Sequence, residues 1–538
     1  MSSSDSGAIA PNARRLLWAG FMAILAAGVG YSVRGGILGQ WATEFGFTMT
    51  ELGKITGGGL TGFGIVIILS SLIADRIGYG KLMITAFLLH LISAGLTLAT
   101  PAAFASGGKE AAFQCLFWGM FLFAIGNGLC EAVVNPLTAT LFPKNKTHYL
   151  NILHAGWPAG LVLGSVASAL MAARQNEAGE VIRQATDWKI QMSLFLIPVV
   201  AYGVMLLGQK FPKSEAAEAG VSTGEMISTL FAPLMLVLLV IHAMVGYVEL
   251  GTDSWISKIT GAIMASPTKG LMLFSYTSLL MFVLRFFAGP IVHKISPLGL
   301  LFASGILGAT GLTLLGSAES VAVCILAATV YALGKTFLWP TMLAVVSEQF
   351  PKGGAISIGM IGGVGMLSAG LLGGPAIGFK QDYNAAANLQ SASEETYNRY
   401  KAVKELDGQQ VDDVSSFMGF TTVGLDGAKV GVLDDNGKEL DRVSELLKSQ
   451  DKSDKQHESL AGWWAGAKST AQTDGPLVKQ AGLYGGKQAL KLTAYVPAAM
   501  AVCYLLLILY FRARGGYKVV DVSQEHAEEV AALGPNEA

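Results

Sequence analysis

Charged and polar side chains set inside long apolar runs are the residues of this chain best placed to do chemistry. Glu131 stands in Gly126-Asn-Gly-Leu-Cys-Glu131-Ala-Val-Val-Asn135-Pro136, with no other charge nearby in sequence. An ionisable group at bilayer depth costs about 3 kcal/mol or more, so it marks function by default. Desolvation favours the neutral form of a carboxyl group. Glu131 is therefore able to take up and release a proton; its other reading is one half of a structural ion pair. Asn135 falls one helical turn later on the same face, and the Pro136 ring loosens the backbone bonding of the turn before it. Arg34 lies between Gly28-Val-Gly30 and Gly35-Gly36. It suits either a bidentate anion contact or neutralisation of Glu131. Farther on, Gly246-Tyr247-Val-Glu249-Leu-Gly251-Thr252-Asp253-Ser254-Trp255 puts Glu249 and Asp253 on one helix face. Tyr247 and Trp255 suit stacking on a sugar ring or anchoring at the membrane interface. Lys335 needs a carboxylate partner at that depth, and Glu249 is the expected one. His154 is either a packing residue or a contact to solute or proton, while His90 and His242 read as packing. Gln40, Asn135, Glu249, Lys335 and Trp339 are expected to line a central site.

The elements that must position these groups are membrane helices. The chain has 538 residues, 52% of them hydrophobic and 14% charged, with a mean hydropathy of +0.49. Soluble chains carry about 25% charged residues, so an excess of this size calls for a bilayer as solvent. A net charge of −1 gives no basic footprint for nucleic acid. Cys115, Cys130, Cys324 and Cys503 all sit in apolar runs and have neither zinc spacing nor a disulfide framework. Apolar runs of spanning length start near Leu16, Leu52, Leu82, Ala112, Tyr149, Ile190, Leu230, Gly270, Leu298, Val321, Ala355 and Leu492. That predicts an all-α integral membrane protein of about twelve spans. Lys and Arg crowd into alternate loops, which predicts an inner-membrane protein with both termini cytoplasmic. Residues 1–211 form the first six-helix bundle, 212–228 a cytoplasmic linker and 229–538 the second. The second bundle carries a long outer insert, 380–489, between helices eleven and twelve. The insert reads as a small, partly folded cap, with a disordered insert as the alternative; Ser391–Leu406 and Gly437–Gln450 read as helical within it, and Trp463-Trp464 as an exposed aromatic pair. The runs Gly57-Gly58-Gly59, Gly362-Gly363 and Gly373-Gly374 lack the Lys-Ser/Thr ending of a phosphate loop and read as close helix packing.

The halves repeat. Leu72-Ile-Ala-Asp75-Arg76-Ile77-Gly-Tyr-Gly-Lys81 lies over Pro290-Ile-Val-His293-Lys294-Ile295-Ser-Pro-Leu-Gly299 without a gap, and Glu131 to Thr138 lies over Lys335 to Met342. Phe-Pro-Lys follows each, at Phe142–Lys144 and Phe350–Lys352. Internal repeats of this kind belong to secondary transporters, whose site lies near the midplane between halves. The loop Asp75-Arg76-Ile-Gly78-Tyr-Gly-Lys81 resembles the signature of the major facilitator superfamily, with a weaker copy from Arg285 through Lys294. That resemblance implies a latch between the bundles, carried by Asp75, Arg76, Lys81 and Arg285. The segment around Glu131 and Asn135-Pro136 is similar to the fourth helix of the fucose and glucose–galactose proton symporters, where a glutamate handles the proton. Their first-helix sugar-binding aspartate is absent here, with Arg34 beside its place.

Together these features predict proton-coupled symport of a sugar-like solute by alternating access, with Glu131 carrying the proton. The alternatives are a facilitator or antiporter of a small organic anion held by Arg34 and Lys335, and a solute sensor with a transporter fold. No cofactor is expected: a proton gradient supplies the energy, with sodium as the alternative ion. The partners expected are a small solute and the lipid bilayer, around a monomer. No Ser-His-Asp order, metal spacing or pair of catalytic carboxylates points to an enzyme.

Overall fold

The computed structural model describes residues 10–47, 49–56, 59–175, 181–406, 409–449 and 453–522. Within them, 11 helical stretches are long and apolar enough to cross a membrane. One of these, Tyr79–Leu141, has 63 residues and contains Gly108 at φ 68, ψ −159, outside helical geometry. A positive φ of this kind suits glycine. The chain reverses there, and Ser93 Oγ donates to Gly119 O at 2.7 Å across the resulting hairpin. Dividing that stretch gives twelve spans. The first six are Ala13–Ala42, Lys54–Ile77, 79–107, 109–141, Pro143–Met171 and Trp188–Leu206. The next five are Pro233–Ile263, 267–295, 297–317, Val321–Gln349 and Pro351–Ala392, because Ser296 (φ 65, ψ 163) divides Ala288–Ser317 and residues 288–295 continue the eighth span past a break at Phe286-Phe287. The twelfth is Ala471–Thr493 continuing as Tyr495–Ala513. Large apolar side chains such as Leu69, Leu163, Leu326 and Leu506 stay more than half exposed around the bundle, as a lipid-facing surface requires.

Small residues set the helix spacing. A Cβ on Gly160 of the fifth span would stand 2.8 Å from Gly28 Cα of the first, so these backbones touch only because both positions lack a side chain. The second and eleventh spans touch the same way at Gly64 and Gly363, and the seventh and eleventh at Gly251 and Gly373. The expected packing role thus holds for Gly363 and Gly373; Gly57 and Gly58 lie outside the described residues.

Both ends of the described chain lie on one face, here called the terminal face. Asn12 Nδ2 donates to Gln209 Oε1 at 3.2 Å, and Tyr517 OH to Glu348 Oε2 at 2.6 Å. The linker on this face is folded. Helices Glu215–Glu218 and Thr223–Ser228 follow Ser214 and Ser222 caps, the second with a complete capping box to Glu225. Ala216, Val221, Met226, Leu230, Ile356 and Val522 form its small core.

The insert on the opposite face corrects the sequence expectation in three ways. Its two ends are helical continuations of the eleventh and twelfth spans, which pack on one another: a Cβ on Gly485 would stand 2.9 Å from Ala385 Cβ. What remains is a folded cap. Its helices are Glu394–Tyr400, Gly427–Asp435, Lys438–Ser449 and Lys455–Ala467, joined by two antiparallel hairpins, Val403–Leu406 with Gln409–Asp412 and Val414–Phe417 with Phe420–Val423. The expected helix Ser391–Leu406 therefore ends in a strand: the helix stops at Tyr400, Lys401 is extended at ψ 150, and Val403–Leu406 pairs with Gln409–Asp412. Gln450 lies outside the described residues. Finally, Trp464 is 4% exposed and Trp463 Nε1 donates to Arg399 O at 3.2 Å. The pair is cap core, not an exposed binding feature.

Candidate functional site

Midway between the two faces, the halves are joined by a chain of buried polar groups. It starts on the fourth span, where Asn135 Nδ2 donates to Glu131 Oε2 at 2.7 Å and to Glu131 O at 3.0 Å. The one-turn spacing makes both bonds available to a single amide. Asn135 Oδ1 then pairs with His154 Nε2 of the fifth span at 2.8 Å. An amide oxygen only accepts, so the hydrogen sits on Nε2. The same Nε2 lies 4.0 Å from Glu131 Oε2. From His154 the chain crosses to the second half. Arg285 Nη1 donates to His154 O at 2.5 Å, Nη2 to Glu249 Oε1 at 2.9 Å, and Nε to Thr336 O at 2.9 Å. One turn farther along the seventh span, Asp253 Oδ1 accepts from Lys335 Nζ at 2.5 Å.

Two expectations are corrected at this point. Lys335 pairs with Asp253, not Glu249, because Glu249 is taken by Arg285. Arg285 itself is 1% exposed and part of the interior, not of a surface latch. It lies inside the eighth span, where the helix breaks at Phe286-Phe287 ahead of the reversal at Ser296 (φ 65, ψ 163), and its long side chain points into the bundle.

The seventh span supplies two carboxylates through an irregular turn. Tyr247–Gly251 is a π-helical segment, facing a second one at Ala369–Gly373 on the eleventh span. A Cβ on Gly251 would lie 2.7 Å from Gly373 Cα. The wide turns free backbone carbonyls, which find side-chain donors: Tyr331 OH donates to Val248 O at 2.7 Å and Ser368 Oγ to Ala243 O at 2.6 Å.

The charges do not cancel. Arg285 serves Glu249, and Lys335 serves Asp253. Glu131 is left with the neutral amide of Asn135 as its hydrogen-bond partner, and it is 8% exposed. Among the described residues no group of three His, Cys, Asp or Glu side chains is arranged to hold a metal ion.

Above these pairs lies a small cavity of about 20 Å³ between the halves, lined by Tyr31, Leu60, Trp157 and Leu161 on one side and Leu250, Asp253 and Phe274 on the other. Tyr31 and Trp157 stand with ring centroids 5.7 Å apart. Such a space admits roughly one water, so the halves must part before a solute enters. Tyr31, Trp157 and Phe274 were not among the expected site residues. Aromatic side chains in apolar spans carry no signal that separates a site wall from lipid contact.

Of the other expected residues, Arg34 and Gln40 lie apart from this centre, whereas Trp339 turns its backbone N–H toward Glu249. Arg34 is 5% exposed, with its guanidinium carbon 3.6 Å from the centroid of the Phe123 ring. Its Nε and Nη2 have no hydrogen-bond partner, and it pairs with neither Glu131 nor another carboxylate among the described residues. Gln40 lies outside the polar chain. Trp339 is packed against His242, ring centroids 4.6 Å apart, and against Gly365; it does not line the cavity. His90 bonds Tyr202 and Asn127 inside the first bundle, at 2.9 and 3.0 Å, in the packing role expected of it.

On the terminal face the halves are closed by a separate set of bonds. Asp75 Oδ2 accepts from Ala355 N at 3.4 Å, at the start of helix Gly354–Ser368 in the second half. Lys146 Nζ donates to Glu215 Oε2 at 2.7 Å and Ser347 O at 3.1 Å, and Thr147 Oγ1 to Glu348 Oε1 at 3.1 Å. Arg76 and Lys81 are exposed and form no ion pair among the described residues.

The profile of the Major Facilitator Superfamily matches residues 20–374, through the first bundle and into the eleventh span. The chain belongs to the Major Facilitator Superfamily. Solved structures of superfamily transporters share its fold at low identity. FucP in the outward conformation, the E. coli fucose:proton symporter, aligns at 18% identity with a TM-score of 0.53, covering 69% of this chain and 92% of FucP. The proton:xylose symporter XylE, bound to 6-bromo-6-deoxy-D-glucose, aligns at 15% with a TM-score of 0.53 over 69% of this chain and 89% of its own. A bacterial homologue of the human lysosomal transporter Spinster, inward-facing and unoccupied, aligns at 12% with a TM-score of 0.58 over 92% and 97%. No curated protein sequence matches the chain. As a superfamily member it is an integral membrane transporter of small solutes, built from two pseudo-symmetric six-helix bundles.

Proposed function

We propose that this transporter is a proton-coupled symporter of a neutral, sugar-like solute in the cytoplasmic (inner) membrane, with both termini in the cytoplasm. One observation carries the reading. The central polar chain holds three carboxylates and two committed cations, Arg285 with Glu249 and Lys335 with Asp253. Glu131 is the remainder, and a proton neutralises it at lower cost than an unpaired buried charge. His154 Nε2 donates to Asn135 Oδ1 and so orients the amide whose Nδ2 donates to Glu131. His154 O also accepts from Arg285, so the residue that orients Asn135 is bonded to the second half. The solute's place is the aromatic wall of Tyr31, Trp157 and Phe274, where ring faces meet sugar C–H groups, with Asp253 supplying a hydroxyl acceptor. The likeness to FucP and XylE supports the same class.

The test is uptake into proteoliposomes. An inward proton gradient should drive accumulation of the solute. Glu131→Gln, which mimics the protonated carboxyl permanently, should lose accumulation by more than tenfold and keep solute exchange at equal concentrations. Accumulation indifferent to the pH gradient, or retained in Glu131→Gln, would overturn the proposal. A second reading rests on Arg34, whose Nε and Nη2 have no partner: transport of a small organic anion. It predicts competition by anionic analogues and loss of transport in Arg34→Gln, whereas the symport reading predicts competition by neutral sugars.

A further inference from the structure

The second cap hairpin presents an apolar tip with no cover from the protein. From Val414 to Leu425 the chain carries no charged residue, although Asp413 and Asp426 flank it immediately. Strands Val414–Phe417 and Phe420–Val423 pair in register, Phe417 opposite Phe420, so Met418-Gly419 forms a two-residue turn. Both turn residues have positive φ, 49° at Met418 and 86° at Gly419. A turn of this kind favours Asn or Gly at its first position. Methionine there pays a steric cost with no local bond in return. Its side chain is 82% exposed, Phe420 is 65% exposed and Val414 53%.

The position of the hairpin explains that choice. It lies along the outer extension of the eleventh span: Asp382 approaches Gly424 near its base, and Phe417 stacks toward Phe379, ring centroids 6.0 Å apart. Since Phe379 precedes Asp382 on this helix, the tip points back toward the membrane. Phe379 is also close to the level of Trp255, whose Nε1 donates to Gly374 O at 2.8 Å and whose ring lies 5.5 Å from Lys258 Nζ. An aromatic ring beside a lysine at the end of a span is what the membrane–water boundary collects. Exposed Leu371 and Leu372 lie below on the same helix and exposed Tyr383 above. Apolar side chains thus follow one another from exposed Leu371 and Leu372 through half-buried Phe379 and Phe417 to exposed Met418 and Phe420.

We propose that this hairpin is a lipid-binding element: Met418 and Phe420 insert among the headgroup-proximal segments of the outer leaflet's acyl chains and pin the cap to the membrane beside the eleventh span. The Ser and Thr side chains of the hairpin then lie at headgroup depth, where their hydroxyls remain hydrated. The occupant is the bilayer because the patch continues the surface the bilayer already covers.

Depth measurement on the reconstituted transporter tests this. Spin labels go at Met418→Cys or Phe420→Cys, in a chain whose four native cysteines are replaced by alanine, with Gly431→Cys on the exposed cap helix as reference. At 418 and 420 the labels should collide more often with oxygen, which partitions into lipid, than with a water-soluble nickel chelate, and Gly431→Cys should show the reverse. A 418 label as open to nickel as the 431 label overturns the proposal. A label shielded from both reagents overturns it as well, since a protein neighbour would then cover the patch. Native protein in nanodiscs gives a second reading that needs no cysteine replacement. A lipid with a photoreactive diazirine near its headgroup should leave adducts on the peptide carrying 414–425; adducts confined to the spans would overturn the proposal.

Discussion

Arg285 holds more of the centre together than any other side chain. Its three donors reach Thr336 O, His154 O and Glu249 Oε1, and these acceptors come from three spans in both halves. Removing one partner of a buried pair leaves an uncompensated charge, at a cost of about 3–5 kcal/mol, whereas replacing both by apolar groups of similar volume is often near neutral. Arg285→Met should therefore lower the thermal unfolding midpoint in detergent steeply. Arg285→Met with Glu249→Met should recover most of that loss without restoring transport. An unchanged midpoint in the single variant would show that Glu249 finds another partner or a proton. Much of this arrangement could be read from the sequence, because a charge in an apolar run is conspicuous: Glu131, Asn135, His154 and Glu249 do come together. The partnering of Lys335 was not legible. Glu249 and Asp253 are four residues apart and equally in reach on a regular helix. What separates them is Arg285, which the weaker signature copy in the sequence assigns to a loop although it lies inside the eighth span, ahead of the reversal at Ser296.

At the scale of elements, the paired π-helical turns at Tyr247–Gly251 and Ala369–Gly373 decide where the seventh span aims its carboxylates. They meet at Gly251 on Gly373, and the helices leading into them meet at Gly246 on Gly365. A methyl group on Gly251 would stand 2.7 Å from Gly373 Cα, a backbone atom that cannot rotate away. Overpacking of this kind costs about 1–3 kcal/mol. Gly251→Ala should lower the unfolding midpoint and slow uptake, because the displaced helix carries Glu249 and Asp253 away from Arg285 and Lys335. Gly462→Ala in the cap, where an added Cβ meets nothing within 4 Å, is the control and should change neither. The spans themselves were legible, since length and hydropathy are sequence properties. The wide turns were not: no residue type demands one, and they arise where two helices press together. The cap was misread at its edges for a related reason. Polar composition marks the ends of 380–489 as loop, yet Gln381, Ala385 and Gly485 continue two spanning helices as a packed pair outside the apolar zone.

For the whole molecule, the balance between open and closed states rests on the bonds across the terminal face. Asp75 belongs to the signature loop, and its contact is with the start of helix Gly354–Ser368 in the other half, not with a cation. The N-terminal end of a helix carries about half a positive charge, and a carboxylate there contributes about 0.3–1 kcal/mol, up to about 2 when partly buried. Asp75→Asn keeps the shape and removes the charge. Closure on this face should weaken by about 1 kcal/mol, which is roughly a fivefold shift in population. Spin labels at Lys144→Cys and Lys294→Cys, exposed positions of the two halves, report that shift as growth of a longer-distance component in pulsed dipolar spectra. Arg76→Ala and Lys81→Ala should leave the same spectra almost unchanged. Both side chains are exposed and form no ion pair among the described residues, and exposed charges contribute little. The contrast is the decisive feature of the test. If the signature worked through its basic residues, all three variants would open the face alike; if it works through the helix end, Asp75→Asn will act alone.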